Sequence, residues 1–382
     1  MVSGGRCDLA IVGGGLAGGL IALAARRARP DARVLLIEAG DQLGGNHIWS
    51  WFESDIAAAD RPLIEGFASA VWDGYDVAFP GYRRTLATGY RSMRSEQFDA
   101  VLRDLLPSDA ILTGRAVRAL TPTSVTLADG TAIAAGGVID ARGGGDLAAL
   151  ELGWQKFVGV EYRLAAPHGL ERPVVMDASV EQIDGYRFIY LLPFAEDCIF
   201  IEDTYYSDTP AIDRDALRAR IEAYAAGRGW RIAAFLREEA AALPVVLGGD
   251  FAKLWGGDGV AKAGVRAGLF QPMTGYSLPD AVRTASLVAT LGDWRGAALH
   301  DALRSHARRA WTARGYYRLL GRMLFRAAAP HERRRVFERF YGLDASLIER
   351  FYAARSRFAD KARILSGRPP VPILRAVKAL AA

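Results

Sequence analysis

One stretch near the start of the chain, residues 8–38, constrains the fold more than any other part of the sequence. An uncharged apolar run leads into three consecutive glycines at 13–15. A helical pattern follows after Gly18, and a second apolar run occupies 34–37. This order predicts a strand, a tight turn, a helix and a second parallel strand, which together form the βαβ unit of dinucleotide-binding proteins.

The glycines of this stretch have the spacing that a bound pyrophosphate requires. Gly13, Gly15 and Gly18 fall on the pattern G-x-G-x-x-G. The first glycine allows a sharp turn, the second lets the backbone approach the phosphates, and the third lets the helix pack closely on the strand. Glu38 ends the second apolar run, where a carboxylate can accept hydrogen bonds from ribose hydroxyls. We therefore predict that these residues and Gly14 bind a dinucleotide.

The same stretch allows one other interpretation. Residues 9–25 carry no charge, so they could form the core of a signal peptide or a membrane span. Glycines at turn spacing and Asp8 directly before the run disfavour it. Elsewhere no uninterrupted apolar run reaches the length that spans a bilayer.

The composition narrows the class of protein. A length of 382 residues predicts two or three lobes. The chain has only two cysteines, and its five histidines show no metal-ligand spacing. We therefore expect a reducing cytoplasm, no disulfide framework and no metal site. The charge is asymmetric, because residues 301–382 hold 19 Lys and Arg against 6 Asp and Glu, whereas the first 300 residues hold 29 against 37.

Farther along the chain, periodicity predicts further elements. The predicted strands lie at 71–92, 115–139 and 154–206. The predicted helices lie at 95–105 with Ser95 as the cap, at 210–240 as a pair, at 279–291, and from 301 onward. The run 199–201 predicts a buried strand that ends at Glu202 and Asp203. Adjacent strand residues point to opposite faces, so at most one of these two carboxylates faces a given cavity.

Other glycine-bearing stretches are further candidates for cofactor contact. The pair Gly44–Gly45 follows Glu38 closely and predicts either backbone against the cofactor or an ordinary turn. Asp140 ends an apolar strand that would return beside the first strand, and it could instead cap a turn. Gly264 stands where many flavoproteins carry a Gly-Asp pair, although no Asp follows it. Gly275 lies near a helix start and could present N–H groups to a phosphate or a flavin edge.

A row of arginines marks the C-terminal region. Arg314, Arg318, Arg322 and Arg326 recur every four residues with apolar residues between them. This pattern predicts an amphipathic basic helix at an anionic membrane surface, or a solvated arginine face over ordinary packing. Nucleic acid ranks last among the anionic partners, because no nucleic-acid-binding motif accompanies the charge.

Many irregular stretches, in the right order, are similar to the bacterial lycopene β-cyclases, flavoproteins of carotenoid biosynthesis. The resemblance covers nearly the whole chain. It is carried by 12–17, 44–47 with Trp49 and Ser50, 185–188, 201–204, 266–270 with Pro272, 274–279, 339–343 and 366–372. It adds Leu16, Ala17, Gly45, Asn46 and His47 to the predicted cofactor-binding residues.

The resemblance implies an α/β fold with a Rossmann-like FAD-binding domain of the glutathione-reductase/hydroxylase type. A β-sheet substrate domain and a C-terminal helical region would complete it. The expected FAD-binding domain comprises 1–70, 95–153 and 245–300, the substrate-binding domain comprises 71–94 and 154–244, and the basic helical region comprises 301–382.

The resemblance also implies a reaction without net redox change. Such an enzyme closes the ψ ends of lycopene into β-ionone rings, giving γ-carotene and then β-carotene, with reduced FAD and with NAD(P)H as the electron source. Its essential carboxylate falls at Glu202, and Asp203 beside it is the second catalytic candidate. Burial beside apolar carbon would raise the pKa of Glu202 and keep it protonated for donation. Without the resemblance, Glu202 would be interpreted as a surface carboxylate at a strand end.

Two other classes of function stay open. A redox flavoenzyme such as a hydroxylase or a prenyl-chain reductase could share the architecture, and so could a membrane-associated isoprenoid carrier. For a C40 hydrocarbon substrate and a chain without a span, we expect a cytoplasmic protein. It would dock peripherally on the inner membrane through residues 304–326 and nearby apolar side chains.

Overall fold

The computed structural model describes residues 6–366, which form three β-sheets and a helical C-terminal region. The strands are β1 Cys7–Val12, β2 Val34–Ile37, β3 Ile48–Phe52, β4 Ala70–Trp72, β5 Tyr75–Phe79, β6 Tyr82–Leu86, β7 Tyr90–Arg94, β8 Ile111–Leu112, β9 Val117–Thr121, β10 Ser124–Leu127, β11 Ala132–Asp140, β12 Leu150–Leu164, β13 Val174–Asp177, β14 Tyr186–Ala195, β15 Cys198–Ser207, β16 Ile232–Gly249 and β17 Ala261–Lys262. The α-helices are α1 Leu16–Ala28, α2 Ser95–Leu105, α3 Arg214–Gly227, α4 Phe251–Trp255, α5 Leu278–Thr290, α6 Gly296–Ala313, α7 Gly315–Arg322, α8 Arg333–Tyr341, α9 Ala345–Tyr352 and α10 Phe358–Leu365.

The first sheet contains the βαβ unit that the sequence predicts. Its strand order is β8-β2-β1-β11-β10-β9, with β17 beside β11, and β1 pairs in parallel with both β2 and β11. The helix α1 begins at Leu16, before the predicted start after Gly18. Gly18 and Gly19 lie inside this helix, and these positions require glycine because their neighbours leave no room for a side chain. A Cβ on Gly18 would lie 1.9 Å from the Gly13 carbonyl oxygen, and one on Gly19 would lie 2.5 Å from Leu102.

The second sheet is mostly antiparallel, in the order β16-β12-β15-β14-β13-β5-β6. It confirms the strands predicted within 154–206. The second helix predicted within 210–240 is wrong, because residues 232–249 form β16 and pair along most of β12. Apolar residues such as Phe235 and Leu236 have helix-like spacing there, but they are exposed, and pairing with β12 decides the conformation instead.

Two smaller sequence predictions are also wrong. Ser95 is the first residue of α2 and makes no cap; its hydroxyl accepts a hydrogen bond from the His47 N–H at 3.3 Å. Glu202 and Asp203 lie in the middle of β15 rather than at a strand end. Both residues therefore lie inside the sheet with a neighbouring strand on each side, and both side chains are buried.

A third, small sheet of order β3-β7-β4 takes strands from both the expected FAD-binding segment 1–70 and the expected substrate-binding segment 71–94. The expected boundary at 153/154 falls inside β12, and the boundary at 244/245 falls inside β16. These two strands therefore run through both assigned regions. We retain the three-part division as a proposal, with β12 and β16 shared between its parts; residues 1–5 and 367–382, and most of the family-like stretch 366–372, lie outside the described residues.

The predicted basic helix does not form one continuous cationic face. The helix is interrupted between α6 and α7 at Arg314, and the Arg314 side chain is buried. Its guanidinium donates to Asp280 at 2.6 Å and to the Phe270 carbonyl oxygen at 3.1 Å. Arg318 donates to the Trp311 carbonyl oxygen, and Arg326 donates to Glu151. Arg314 and Arg326 therefore attach the C-terminal helices to the rest of the protein, whereas Arg318 links α7 to α6.

Within residues 6–366, no helix combines the length and the hydropathy needed to cross a bilayer.

The ion pair between Arg314 and Asp280 generates a stability prediction. Burial alone would raise the pKa of Asp280, but Arg314 and Arg283 outweigh that effect and lower it. Replacing Asp280 by Asn would leave the buried Arg314 charge uncompensated. We expect the free energy of unfolding in urea to fall by about 3–5 kcal/mol. The matched control is Asp293→Asn, because the pair of Asp293 with Arg295 is exposed. This variant should have the wild-type free energy of unfolding. A loss no larger than that of the control would contradict this role.

Candidate functional site

The turn between β1 and α1 forms the first part of the site. Gly13 has a φ of +105°, and a Cβ there would lie 2.7 Å from the carbonyl carbon of Ala141. By contrast, a Cβ on Gly15 would have no atom within 4 Å. The protein's own packing therefore requires glycine at 13 and 18, whereas Gly15 borders open space, where a pyrophosphate could approach.

Glu38 lies at the end of β2, as predicted. Its Oε2 accepts the Gly14 N–H at 2.7 Å, and its Oε1 accepts the Gly40 N–H at 2.8 Å. The carboxylate thus ties the glycine turn to the loop after β2. Each carboxylate oxygen can accept a second hydrogen bond, so Glu38 keeps acceptor capacity for a hydroxyl.

Asp140 ends β11 directly beside Val12 of β1. It is buried, and its carboxylate accepts hydrogen bonds from Arg142 Nε at 2.9 Å and Arg142 Nη2 at 2.8 Å. Arg266 Nε lies 3.4 Å from the same carboxylate. A Cβ on Gly143 would meet no atom within 4 Å, so this strand end also borders open space.

Two glycines near α5 differ in what they offer. Gly264 has a φ of +63°, and a Cβ there would lie 3.0 Å from Ala17, which follows Leu16 in the first turn of α1. Gly264 therefore closes against the predicted phosphate-binding end of α1. Gly275 does not present its N–H as predicted, because that group donates to the Gln271 carbonyl oxygen at 3.0 Å.

The segment 44–48 connects the glycine turn to the second sheet. The Gly44 N–H donates to the Gly14 carbonyl oxygen at 2.9 Å. The Asn46 side chain donates to the backbone of Glu238 at 2.8 Å, and His47 Nδ1 lies 2.9 Å from Glu239 Oε1. The side chains of Asn46 and His47 thus anchor this segment to β16, while Gly45 is exposed.

Glu202 lies in a row of residues that crosses four strands of the second sheet. Directly paired residues share a face, so Glu239 on β16, Gly159 on β12, Glu202 on β15 and Tyr190 on β14 all point to the same side. Phe200 shares this face two residues away along β15.

The surroundings of Glu202 change its acidity. The side chain is almost completely buried, and the Thr204 hydroxyl donates a hydrogen bond to Oε1. Burial raises the pKa of Glu202 to about 8, against the effect of the Thr204 hydrogen bond and with a contribution from the Glu239 charge. Glu202 is therefore a neutral acid at neutral pH and can donate a proton.

Asp203 points to the opposite face of the sheet and is completely buried. Its carboxylate accepts hydrogen bonds from Arg187 Nε at 2.7 Å, Arg187 Nη2 at 3.1 Å and the Tyr205 hydroxyl at 2.8 Å. Burial raises the pKa of Asp203 although Arg187 lowers it. The structure thus does not bring Asp203 to the face of Glu202, and its contacts are those of a structural ion pair.

A network of hydroxyl groups continues the row beyond Glu202. The Tyr190 hydroxyl donates to Ser50 Oγ at 2.8 Å, and it lies 2.8 Å from the Tyr90 hydroxyl. The Tyr90 hydroxyl in turn lies 2.7 Å from that of Tyr276. Burial raises the pKa of all three tyrosines, so their hydroxyls stay neutral. They connect three parts of the fold: the second sheet, the small third sheet and the loop before α5.

Sequence reasoning missed Glu239 and this hydroxyl network. Glu239 escapes sequence reasoning because the pattern of residues 210–240 predicts a helical pair, in which Glu239 would not align with Glu202. The tyrosines and Ser50 come from distant segments whose approach depends on tertiary packing. Within the described residues, no group of three His, Cys, Asp or Glu side chains is arranged to hold a metal ion.

Solved structures with a similar fold include flavoproteins. The flavin-dependent brominase Bmp2 aligns with a TM-score of 0.63 at 15% identity, covering 92% of this chain and 94% of that one. A geranylgeranyl bacteriochlorophyll reductase-like protein from Thermoplasma acidophilum aligns with a TM-score of 0.60 at 16% identity, covering 98% of each chain. These likenesses concern the fold alone, and they confirm the predicted fold class.

Sequence comparison is more specific. The family described as "Lycopene cyclase protein" matches residues 8–378. The lycopene beta-cyclase of Pseudescherichia vulneris is 47% identical over 367 residues, covering 96% of this chain and 95% of the relative. That of Pantoea ananas is 44% identical over 374 residues, covering 98% and 97%. The chain therefore belongs to the lycopene cyclase family.

Proposed function

We propose that this protein is a lycopene β-cyclase. It would close the ψ end groups of lycopene into β-ionone rings, giving γ-carotene and then β-carotene without net redox change. One observation carries the proposal: Glu202 is a buried carboxylic acid, with a pKa raised to about 8, on an aromatic face of the second sheet. Membership of the lycopene cyclase family supplies the substrate class.

Glu202 would act as both acid and base. Its proton adds to the terminal double bond, and the resulting tertiary cation is attacked by the next double bond of the polyene. Loss of a ring proton to the Glu202 carboxylate then restores the acid, so substrate and product have the same mass. Buried aromatic neighbours such as Phe200 exclude water that would trap the cation, and aromatic faces such as that of Tyr190 attract positive charge.

The residues of the first sheet fit an FAD cofactor. Gly13 makes the turn, Gly15 leaves room for a pyrophosphate, and Glu38 keeps acceptor capacity for the ribose. When bound in its reduced form, FAD would supply negative charge near the developing cation. NAD(P)H is the proposed electron donor. Asp140 and Gly264 would shape the phosphate end of this site, while Asn46 and His47 would hold segment 44–48 in place.

Cofactor binding can be separated from folding with one glycine. We expect Gly15→Ala to weaken FAD binding by about tenfold or more, because the new methyl group would enter the space left for the pyrophosphate. Thermal unfolding of the FAD-free protein should not change, since no protein atom lies within 4 Å of that methyl group. The matched control is Gly227→Ala at the end of α3, where a Cβ also meets no atom within 4 Å. Equal FAD affinity in both variants would contradict the assignment.

The catalytic assignment depends on the proton of Glu202. We expect Glu202→Gln to abolish β-carotene formation by purified protein supplied with lycopene, FAD and NADPH, while FAD stays bound. Wild-type activity should fall as the pH rises through about 8, because Glu202 then loses its proton. Glu196→Gln, an exposed carboxylate in the same hairpin, is the control and should retain activity. Near-normal ring closure by Glu202→Gln would contradict the catalytic role of Glu202.

The same assay separates the other two functions. A cyclase leaves the mass of the pigment unchanged, whereas a hydroxylase or a reductase shifts it. Unaltered lycopene under all conditions would instead favour a carrier. Resolving the pigments and measuring their masses therefore decides among the three.

We further propose that the protein works in the cytoplasm, docked peripherally on the inner membrane. The surface that supports this is α10, where Phe358 is 88% exposed and Leu365 is 49% exposed. Lys361 on the same helix lies over the Tyr316 ring of α7, which places α10 beside the predicted region 304–326. Exposed Arg363 adds positive charge. Exposed apolar and cationic side chains on one short helix suit an anionic bilayer surface.

Membrane docking through α10 can be tested with vesicles of anionic lipid. We expect the double variant Phe358→Ser, Leu365→Ser to lose most of its binding in a flotation assay, because both apolar anchors are removed. Phe235→Ser with Leu236→Ser is the control, since these are also large exposed apolar side chains but lie on β16. Unchanged flotation of the α10 variant would count against this surface.

A further inference from the structure

Glu239 occupies the same face of the second sheet as Glu202. The two carboxylates flank Gly159, which pairs with Glu202 on one side and with Glu239 on the other. Two strand spacings separate them, which corresponds to about 9.5 Å between their backbones. They are therefore close enough for the charge of one to influence the ionisation of the other.

Little between the two carboxylates can screen their interaction. Gly159 has no side chain, and a Cβ there would lie 2.1 Å from Cζ of Phe200. The Phe200 ring therefore lies against Gly159 and fills this part of the face with apolar carbon. Charges in such a medium interact much more strongly than charges in water.

Glu239 is held firmly by the segment that reaches the glycine turn. Its Oε1 lies 2.9 Å from His47 Nδ1, and its Oε2 accepts the Ile48 N–H at 2.9 Å. The Glu239 side chain is only 7% exposed, whereas that of His47 is 52% exposed. The position and charge of Glu239 thus depend on how segment 44–48 sits on β16.

The other ionisable groups around Glu202 have partners of their own. On the same face, Glu161 binds Arg94, and Arg237 binds Glu96 and Asn46. On the opposite face, Asp203 binds Arg187. Tyr190 is neutral, and Thr204 donates a hydrogen bond to Glu202. Glu239 is the carboxylate of this face whose contacts lead directly to the proposed cofactor side.

We propose that Glu239 is a positioning residue for the cyclisation: its carboxylate, tied to His47 and Ile48, keeps Glu202 protonated and couples that proton to the seating of segment 44–48. This inference rests on the proposed function. When the segment is seated, it holds the buried Glu239 carboxylate on the face of Glu202, and the negative charge opposes ionisation of the acid. When the segment is displaced, water reaches Glu239 and screens its charge from Glu202. Glu202 then loses its proton at lower pH.

The direction and size of the effect follow from Coulomb's law. Taking the backbone spacing of about 9.5 Å as the scale of the separation, a unit charge at an effective dielectric constant of about 20 shifts a pKa by about one unit. Glu239 is negative and therefore raises the pKa of Glu202. Removing the Glu239 charge should lower it by about that amount.

The test measures titration of the Glu202 carboxyl group by infrared spectroscopy on the purified full-length, FAD-loaded protein. The signal is assigned by its loss in Glu202→Gln. We expect Glu239→Gln to move the titration, and the alkaline limb of the cyclisation rate, about one unit toward lower pH. Glu239→Asp, which keeps the charge, should stay close to wild type. An unshifted titration in Glu239→Gln, or an equal shift in Glu239→Asp, would overturn the inference.

A second variant tests the coupling without altering Glu239. Asn46→Ala removes the hydrogen bond to the Glu238 backbone and so loosens segment 44–48. It should shift the titration in the same direction as Glu239→Gln but by less, and an unchanged titration would overturn the coupling to the segment. Because titration is recorded without lycopene, it can shift even if ring closure never occurs. A failure of the proposed function is thus distinguishable from a failure of this inference.

Discussion

The proposed chemistry depends on one constraint, the removal of the Glu202 carboxyl group from water. A carboxylic acid in solution is ionised at neutral pH and has no proton to give to a double bond. Glu202 lies near the centre of β15 with β12 and β14 on either side, and its side chain is buried there. The same strand sends Asp203 to the other face, where Arg187 compensates its charge. β15 therefore carries two buried carboxyl groups in different states: burial keeps Glu202 protonated, whereas Asp203 is paired with an arginine.

Around this acid, the fold joins elements from distant parts of the chain. The glycine turn contacts segment 44–48, and that segment contacts β16. Glu239 of β16 lies in one row with Glu202. On the other side, Tyr190, Tyr90 and Tyr276 connect the same row to the third sheet and to the loop before α5. A continuous set of hydrogen bonds and strand pairs thus links the proposed cofactor side to the acid across the proposed domain division.

Local sequence signals predicted the parts of the fold that local interactions determine. The glycine turn, β2 with Glu38 at its end, and the meander over 115–139 all follow from short-range periodicity and turn chemistry. The errors came where distant pairing decides. Residues 232–240 have helix-like apolar spacing but pair with β12, and Arg314 has the spacing of a surface row but is buried against Asp280. Glu202 was found through family resemblance, since a lone acidic residue beside an apolar run has no distinguishing local signal.

The placement of β16 has a consequence for the behaviour of the protein outside its reaction. β16 is the last strand of its sheet, so one of its edges lacks a strand partner within the described residues. Asn46 occupies part of that edge by bonding to the backbone carbonyl of Glu238. Unprotected edges of this kind are templates for pairing between molecules. The hydrogen bond from Asn46 to Glu238 thus holds segment 44–48, which binds Glu239, and also covers part of a sheet edge. Loosening this hydrogen bond should promote self-association, which light scattering would detect.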